Sequence, residues 1–451
     1  MNENEPIQCL LFDGKIDDTL VIKTDENGRR CQATISEDHY TLVAEPGNRF
    51  LGHVAPEKKD AKSVANAIWT FLEENILKDD LELIGGDSTV HNTGHKGGVF
   101  FYIQEWIGHR LLISVCKLHT NELPLRHVIK GLGIPTISNN KFGGAIGKLI
   151  CGDVEKLPFN PNFKRIRDDR VSIPILSPEV VDDLSTDQRY AYRMLQLLMG
   201  GEVDEKFLAL KCGPPCHSRW LTTADRFSRV YVSDHGLTGE DDETLTLVVT
   251  HTALHYFPVY FHIKCSPTLV EAPRHVLLEM QICRDVLPSK IKDIVRGKIE
   301  DGAWMAHSEI LLLHLLASED EEKRRFAVQK IIAMRGESQL GDTRNRPHKV
   351  PKLNWDAQKV EDIIVWDDAT EPILTARLDS NAIRAFLSQP FVMKPFPSHT
   401  QSVERLVKEV SAASAKVCGV ERVDGYVLAR CGARKLVPKA DKKSDFHDML
   451  Q

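Results

Sequence analysis

Residues 81–126 read LELIGGDSTVHNTGHKGGVFFYIQEWIGHRLLISVCKLHTNELPLR. The segment opens on a short apolar strand that delivers Asp87 to the rim of a sheet. It then passes through a glycine-rich turn (Gly94, Gly97, Gly98) and an amphipathic stretch around Phe100–Ile107. A second apolar strand, Leu111–Val115, closes on Cys116-Lys-Leu-His119, and a short helical stretch follows near Glu122–Leu132. One strand presents a carboxylate, and after a crossover another ends in Cys-x-x-His. That arrangement is specific, and the remaining chain is organised to bring two more acids to Asp87.

Upstream, the first 55 residues read as β structure. Ile7–Phe12 is an apolar run ending in Asp13-Gly14. Thr19–Lys23 and Gln32–Ile35 flank Asp25-Glu-Asn-Gly28, a turn signal between strands. His39–Ala44 is a further strand, stopped by Pro46-Gly47. From Pro56 to Ile76 the period changes: Val64, Ala67, Ile68, Phe71 and Leu72 recur at helical spacing. The order β-β-β-α-β-α-β-α predicts an α/β fold, a mixed sheet with helices on its faces. It is the ribonuclease-H-like order, which strand count alone shares with other α+β folds.

Downstream of about residue 150 the texture becomes helical. Ser185-Thr-Asp-Gln188 reads as a capping box opening a helix through Leu198, ended by Gly200-Gly201. Arg219–Val232 is a second helix. Trp304–Arg335 is a long amphipathic one, with Leu311, Leu312, Leu315 and Leu316 on one side. Residues 336–358 have linker composition, Ser380–Leu387 is a short helix, and Ser398–Val417 carries an apolar face stopped by Gly419. The expected division is therefore 1–150 for the first part of an α/β domain and 151–370 for a helical insertion. Residues 371–425 form the return to the first domain, and 426–451 a loose polar tail.

Bulk properties narrow the function classes. A chain of 451 residues that is 42% hydrophobic and 27% charged supports a sizeable core and two or three packed units. Net charge of −6 gives no global attraction to nucleic acid, so any such binding uses local patches. Ten cysteines with no CxxC pair read as reduced intracellular thiols. The N-terminus MNENEPIQCLLFD has neither the basic nor the apolar region of a signal peptide, and no run of about 18 apolar residues predicts a membrane span.

Three acids are candidates for chemistry. Asp13 ends the first strand, Asp87 ends the strand of the opening segment, and Glu404 sits on the last strong helix. Phosphodiester transfer needs hard oxygen ligands converging on one or two Mg²⁺ ions. First and fourth strands that are neighbours would place Asp13 beside Asp87, with a helix carrying the third acid across them. Taken singly, Asp-Gly after a strand is an ordinary turn and Glu404 an ordinary solvated helix residue; the combination carries the expectation.

Cys116 and His119 admit three readings. One is half a zinc site, with Cys212 and Cys216-His217 as poorly spaced partners. Another is a thiol–imidazole nucleophile pair. The favoured one is structural, a buried thiol and a satisfied histidine bracing the carboxylates. In CHSRWLTTADRFSRVYV, Trp220 is by default a core residue. Beside Arg219, Arg226 and Arg229 it is alternatively a stacking platform for an unpaired base, with the arginines on phosphates.

With these pieces in place, the chain resembles the catalytic region of hAT-superfamily DNA transposases. LLFDG (Asp13) and GGDSTVHN (Asp87) resemble the family's first two catalytic aspartate motifs. VCKLHTNEL resembles its Cys-x-x-His segment, SRWLTT its Arg-Trp motif, and PSHTQSVERLVKEVS its late Glu-Arg helix. The match runs from residue 7 to about 420. It departs from the family in lacking an N-terminal BED zinc finger and in reading ERLVKEVS where Phe-Ser usually follows Glu-Arg. The resemblance implies a ribonuclease-H-like domain interrupted by a helical insertion, with Asp13, Asp87 and Glu404 holding Mg²⁺ or Mn²⁺ and His119 supporting the site. It implies that Trp220 stacks on a flipped base while Arg219, Arg226 and Arg229 contact the DNA backbone. The implied partners are transposon-end-like or branched DNA and a homodimer or higher oligomer, in the nucleus. A truncated or domesticated element, acting as a catalytically silent DNA- or protein-binding scaffold, is the alternative. A zinc-dependent hydrolase built on Cys116 and His119 ranks third.

Overall fold

The computed structural model describes residues 6–138, 141–202, 205–215, 220–337, 350–366, 374 and 378–433. Its centre is a five-stranded mixed sheet built from β1 (Cys9–Thr24), β2 (Arg30–Glu45), β3 (Arg49–Val54), β4 (Leu83–Gly86) and β5 (Leu112–Val115). The spatial order is β3-β2-β1-β4-β5. β1 and β2 pair antiparallel along their whole length, as do β2 and β3 over a shorter stretch, whereas β1–β4 and β4–β5 are parallel.

The four short β runs of the N-terminal segment fuse into two long strands. Asp13-Gly14 is thus not a turn but the middle of β1, with Asp13 opposite Thr41. Gly14 makes this passage feasible, because a Cβ there would lie 2.6 Å from the Tyr40 ring on the facing strand. The third strand is Arg49–Val54, which follows the Pro46-Gly47 stop and was not expected.

Each face of the sheet has its own cover. Leu10, Phe12, Leu42, Ile84, Ile113 and Val115 pack with the helices Ala61–Glu74 and Val99–Ile107. The first of these begins at Asp60, whose side chain accepts from the Ser63 N–H. On the other face Cys9, Leu11, Val43, Leu83 and Leu112 join one continuous apolar core that runs through the helical region. The helical region therefore shares its hydrophobic core with the sheet.

Within that region the Ser185/Gln188 capping box opens the helix Thr186–Leu198. The expected second helix is Trp220–Tyr231. The single helix expected over Trp304–Arg335 is instead three pieces: a 3-10 turn at Ala303–Ala306, then Ser308–Leu316 and Glu321–Glu337. Ser308–Leu316 is buried all round rather than amphipathic, so it runs through the core and ends before the charged Glu319–Arg325 stretch. Beyond Gly419, which has a left-handed φ of 95°, a further helix Val420–Ala433 docks where a loose tail begins in the expected division. The His53 Nδ1 and Asp424 Oδ1 atoms, 2.5 Å apart, tie it to β3. Among the described residues, no helix is long and apolar enough to cross a membrane.

Candidate active site

The three acids arrive from three directions at one end of the sheet. Asp13 lies on β1, Asp87 follows β4 directly, and Glu404 sits in the first turn of the helix Gln401–Ser414. Asp13 senses both others. Burial, then the charge of Glu404, then that of Asp87 push its carboxyl up from 3.8 to about 7, although the Gly14 N–H donates to its Oδ1 at 2.8 Å. Burial contributes most to the shift, and the two neighbouring carboxylates add to it.

Asp87 is held by its own loop. The Thr89 N–H (3.0 Å), the Thr89 hydroxyl (2.7 Å) and the Asn92 amide (2.7 Å) all donate to Oδ1. Oδ2 is thereby left without a hydrogen bond among the described residues. The turn that seats Asn92 closes on glycine: a Cβ at Gly98 would lie 2.5 Å from the Asn92 carbonyl oxygen and 2.5 Å from the Gly94 nitrogen. The glycine-rich stretch of the opening segment is a clamp for the aspartate.

Glu404 is brought home by a hook at residues 398–400. The Lys117 N–H donates to the Ser398 carbonyl at 2.8 Å, and the Thr400 N–H to Cys116 Sγ at 3.4 Å. Downstream, the Ser402 hydroxyl donates to buried Glu45 at 2.7 Å, and Lys15 Nζ to the Ser411 hydroxyl at 3.2 Å. Alongside, Arg405 and buried Lys264 converge on Asp183 at 2.7 and 2.9 Å.

Cys116 caps the helix Lys117–Gly131, so Cys116-x-x-His119 spans a strand end and a first helical turn. Burial, with the charge of Glu404 adding, pushes the thiol up to about 12. A thiol that stays protonated while accepting a backbone hydrogen bond fits the structural reading. His119 is half-buried. Burial holds its imidazole below the usual range and nearby Asp87 opposes this, which leaves a neutral ring near the acids. Among the described residues, no group of three His, Cys, Asp or Glu side chains is arranged to hold a metal ion. The donor chemistry of the acids, all carboxylate oxygen, suits a hard divalent cation.

The residues expected to hold DNA stand elsewhere. Trp220 is 5% exposed and meets the Phe142 ring edge-on at 6.4 Å. Arg226 and Arg229 are 5% and 2% exposed. Arg226 donates to the carbonyls of Ile150, Gly152 and Gly213, while Arg229 donates to those of Leu157 and Leu208 and to the Ser233 hydroxyl. These arginines brace backbone carbonyls inside the helical region, because a guanidinium's fan of donors satisfies several carbonyls that the fold has removed from water. The expected phosphate contacts of Arg226 and Arg229, and base stacking on Trp220, are thus not made accessible by this conformation. Arg219, Cys216 and His217 lie outside the described residues.

The sequence reading missed Tyr40. Its hydroxyl is pushed above the usual range by burial and by Asp38, Asp87 and Asp13, so it belongs to the acid neighbourhood. Thr89 was likewise missed, and its Thr-x-x-Asn spacing behind Asp87 was the available signal. No protein-family profile, curated protein or solved structure matches the chain.

Proposed function

We propose that this chain is a metal-dependent DNA strand-cleaving and joining protein, with a ribonuclease-H-like catalytic region of the hAT-transposase kind. The observation that carries the reading is the state of Asp13, a carboxyl raised to about 7 between Asp87 and Glu404. The sheet order β3-β2-β1-β4-β5, with acids after β4 and on β1, supports the same fold assignment.

In this reading Asp13, Asp87 and Glu404 hold Mg²⁺ or Mn²⁺, which when bound supplies Lewis-acid activation of the attacking and leaving oxygens. The protein's own part is positional. Asn92 and Thr89 fix one oxygen of Asp87, so the other is presented in a set direction. The hook through Cys116 sets the height of Glu404 above the sheet. Neutral His119 is available to accept a proton or donate a hydrogen bond to a phosphate oxygen. Asp13 releases a proton when a cation displaces it, so metal affinity rises steeply with pH up to about 7.

A second reading, a catalytically silent nuclear scaffold for DNA or protein, is favoured by the burial of Trp220, Arg226 and Arg229. One assay separates them: cleavage and strand transfer on branched and hairpin-forming DNA with Mg²⁺ or Mn²⁺, wild type against Asp87→Ala. Metal-dependent products that vanish in the variant support the enzyme. A folded wild type that yields none overturns it in favour of the scaffold.

A further inference from the structure

Beside the three acids, Lys264, Asp183 and Arg405 form an ion trio drawn from three elements. Arg405 follows Glu404 on the helix Gln401–Ser414, Lys264 lies on the helix Phe257–Cys265, and Asp183 ends the helix Pro178–Asp183. Lys264 Nζ donates to Asp183 Oδ2 at 2.9 Å and to Gln401 Oε1 at 2.6 Å. Arg405 Nη2 pairs with Asp183 Oδ1 at 2.7 Å and donates to the Asp183 carbonyl at 3.0 Å. Gln401 and Arg405 are one helical turn apart, so a single helix face meets the trio. Glu404 stands on the adjoining face, where its charge reaches Asp13.

The charges of the trio do not balance. Asp183 alone would neutralise Arg405, and one such pair would fasten the helix. Lys264, with a side chain only 5% exposed, adds a second cation to the same carboxylate and leaves a net charge of +1. Burying an ammonium is costly, so a surplus one is informative. It lies within electrostatic reach of the acid site: burial lowers the Lys264 ammonium, and the charges of Asp183 and Glu404 oppose this. Neighbouring His399 adds no charge, because burial, with Lys264 and Arg405 adding, holds its imidazole down at about 3. The surplus is presented by Arg405, whose side chain is 22% exposed. Its Nε and Nη1 make no hydrogen bond among the described residues, and neither is sealed from water.

We propose that Arg405 binds a phosphate of the DNA strand lying across the three acids, with Asp183 orienting its guanidinium and Lys264 cancelling the Asp183 charge. The inference rests on the strand-cleavage reading and names a substrate contact for it. Open N–H groups on a planar guanidinium fixed at its third nitrogen hold a phosphate oxygen in a set direction relative to Glu404. Without Lys264 the same arginine would be half of a neutral pair and would attract phosphate weakly. Arg405 differs in this from Arg226 and Arg229, whose donors are taken up by backbone carbonyls.

The test is binding of a fluorescein-labelled hairpin DNA by the full chain, read by anisotropy over a range of salt concentrations, with Ca²⁺ in place of Mg²⁺. Each phosphate contact made by a cation adds close to one unit to the slope of log affinity against log salt. Arg405→Gln is expected to weaken binding roughly tenfold and to lower that slope by about one. Arg405→Lys keeps the slope but loses affinity severalfold, because a point charge replaces the planar donor set. Lys264→Met weakens binding in the same direction, although Lys264 is too buried to touch DNA. Thermal melts establish that each variant folds; a purely structural tie would lower the melting temperature and leave the slope alone. An unchanged slope in folded Arg405→Gln, or Lys264→Met binding as tightly as wild type, overturns the inference. Where Arg405→Gln does not fold, unweakened binding by Arg405→Lys overturns it. In each of these cases cleavage by wild type in Mn²⁺ leaves the reading of the acids standing. A wild type that neither binds nor cleaves this DNA overturns both.

Discussion

Replacing Asp13 with asparagine stabilises the protein at alkaline pH. Asparagine is nearly isosteric and keeps an Oδ1 to accept from the Gly14 N–H. In the folded chain the Asp13 carboxyl titrates at about 7, against 3.8 when unperturbed. The folded state therefore binds the proton more tightly than the unfolded state. Stability from this group is complete below about pH 4, declines as pH rises, and is fully lost above about 7. At roughly 1.4 kcal/mol per decade of proton affinity the loss reaches about 4 kcal/mol. Asp13 keeps some contact with water, and solvent screening lowers the expected figure to about 2 kcal/mol. Urea unfolding of wild type and Asp13→Asn, without divalent cations, reads the difference. The variant gains about 2 kcal/mol at pH 8 and almost nothing at pH 4. Millimolar Mn²⁺ then narrows the gap by stabilising only wild type. A variant no more stable than wild type at pH 8, or equally stabilised at both pH values, refutes the electrostatic account of the acid cluster.

Asn92→Ala removes a donor from Asp87 and is expected to lower strand-transfer rate at least tenfold while shifting Tm by only a few degrees, measured by calorimetry alongside the cleavage assay. Cys116 resists iodoacetamide in the native protein at pH 8 and labels only on unfolding, because its thiol is buried and pushed up to about 12; peptide mapping checks this. Lys117→Met strands Glu279 in the core and costs about 3–5 kcal/mol, whereas Lys117→Met/Glu279→Met costs less than Lys117→Met alone, as read by chemical denaturation. Arg226→Ala leaves three carbonyls, two at the end of the helix Gly144–Cys151 and one at Gly213, without a donor and costs roughly 3 kcal/mol or more. A variant of wild-type stability that loses DNA affinity would return Arg226 to the nucleic-acid interface.

The acids were legible because each announces itself locally: Asp13 and Asp87 close apolar strand runs, and Glu404 occupies the first turn of a helix with a clear apolar face. The strand–helix alternation was legible for the same reason, since period-two and helical patterns differ within a few residues. The long hairpin was not, because Asp13-Gly14 carries a turn's composition. What keeps it extended is the antiparallel ladder with β2, where Gly14 faces Tyr40, a partner 26 positions away that local propensity cannot contain. The arginines failed differently. Their types and spacing suit phosphate, but the same donors suit carbonyls, and only tertiary burial decides between the two. The break between Ser308–Leu316 and Glu321–Glu337 was missed because a fully buried helix has no polar face, so its leucines mimic one side of a longer amphipathic element.

The hook that seats Glu404 also sets a schedule. Lys15 and Ser411, bonded across the base of the site, are 396 positions apart in the chain. At about 5–20 residues per second, a ribosome finishes the second partner roughly 20–80 s after the first. Throughout that interval β1 carries Asp13 with no Glu404 opposite it, and the acid cluster does not yet exist. Contacts this distant also make the last docking step slow, since a long loop must close before anything rewards it. A nascent chain that has not yet reached the helix Gln401–Ser414 thus carries Asp13 without the charge of Glu404 beside it, and the acids come together only after that helix is made.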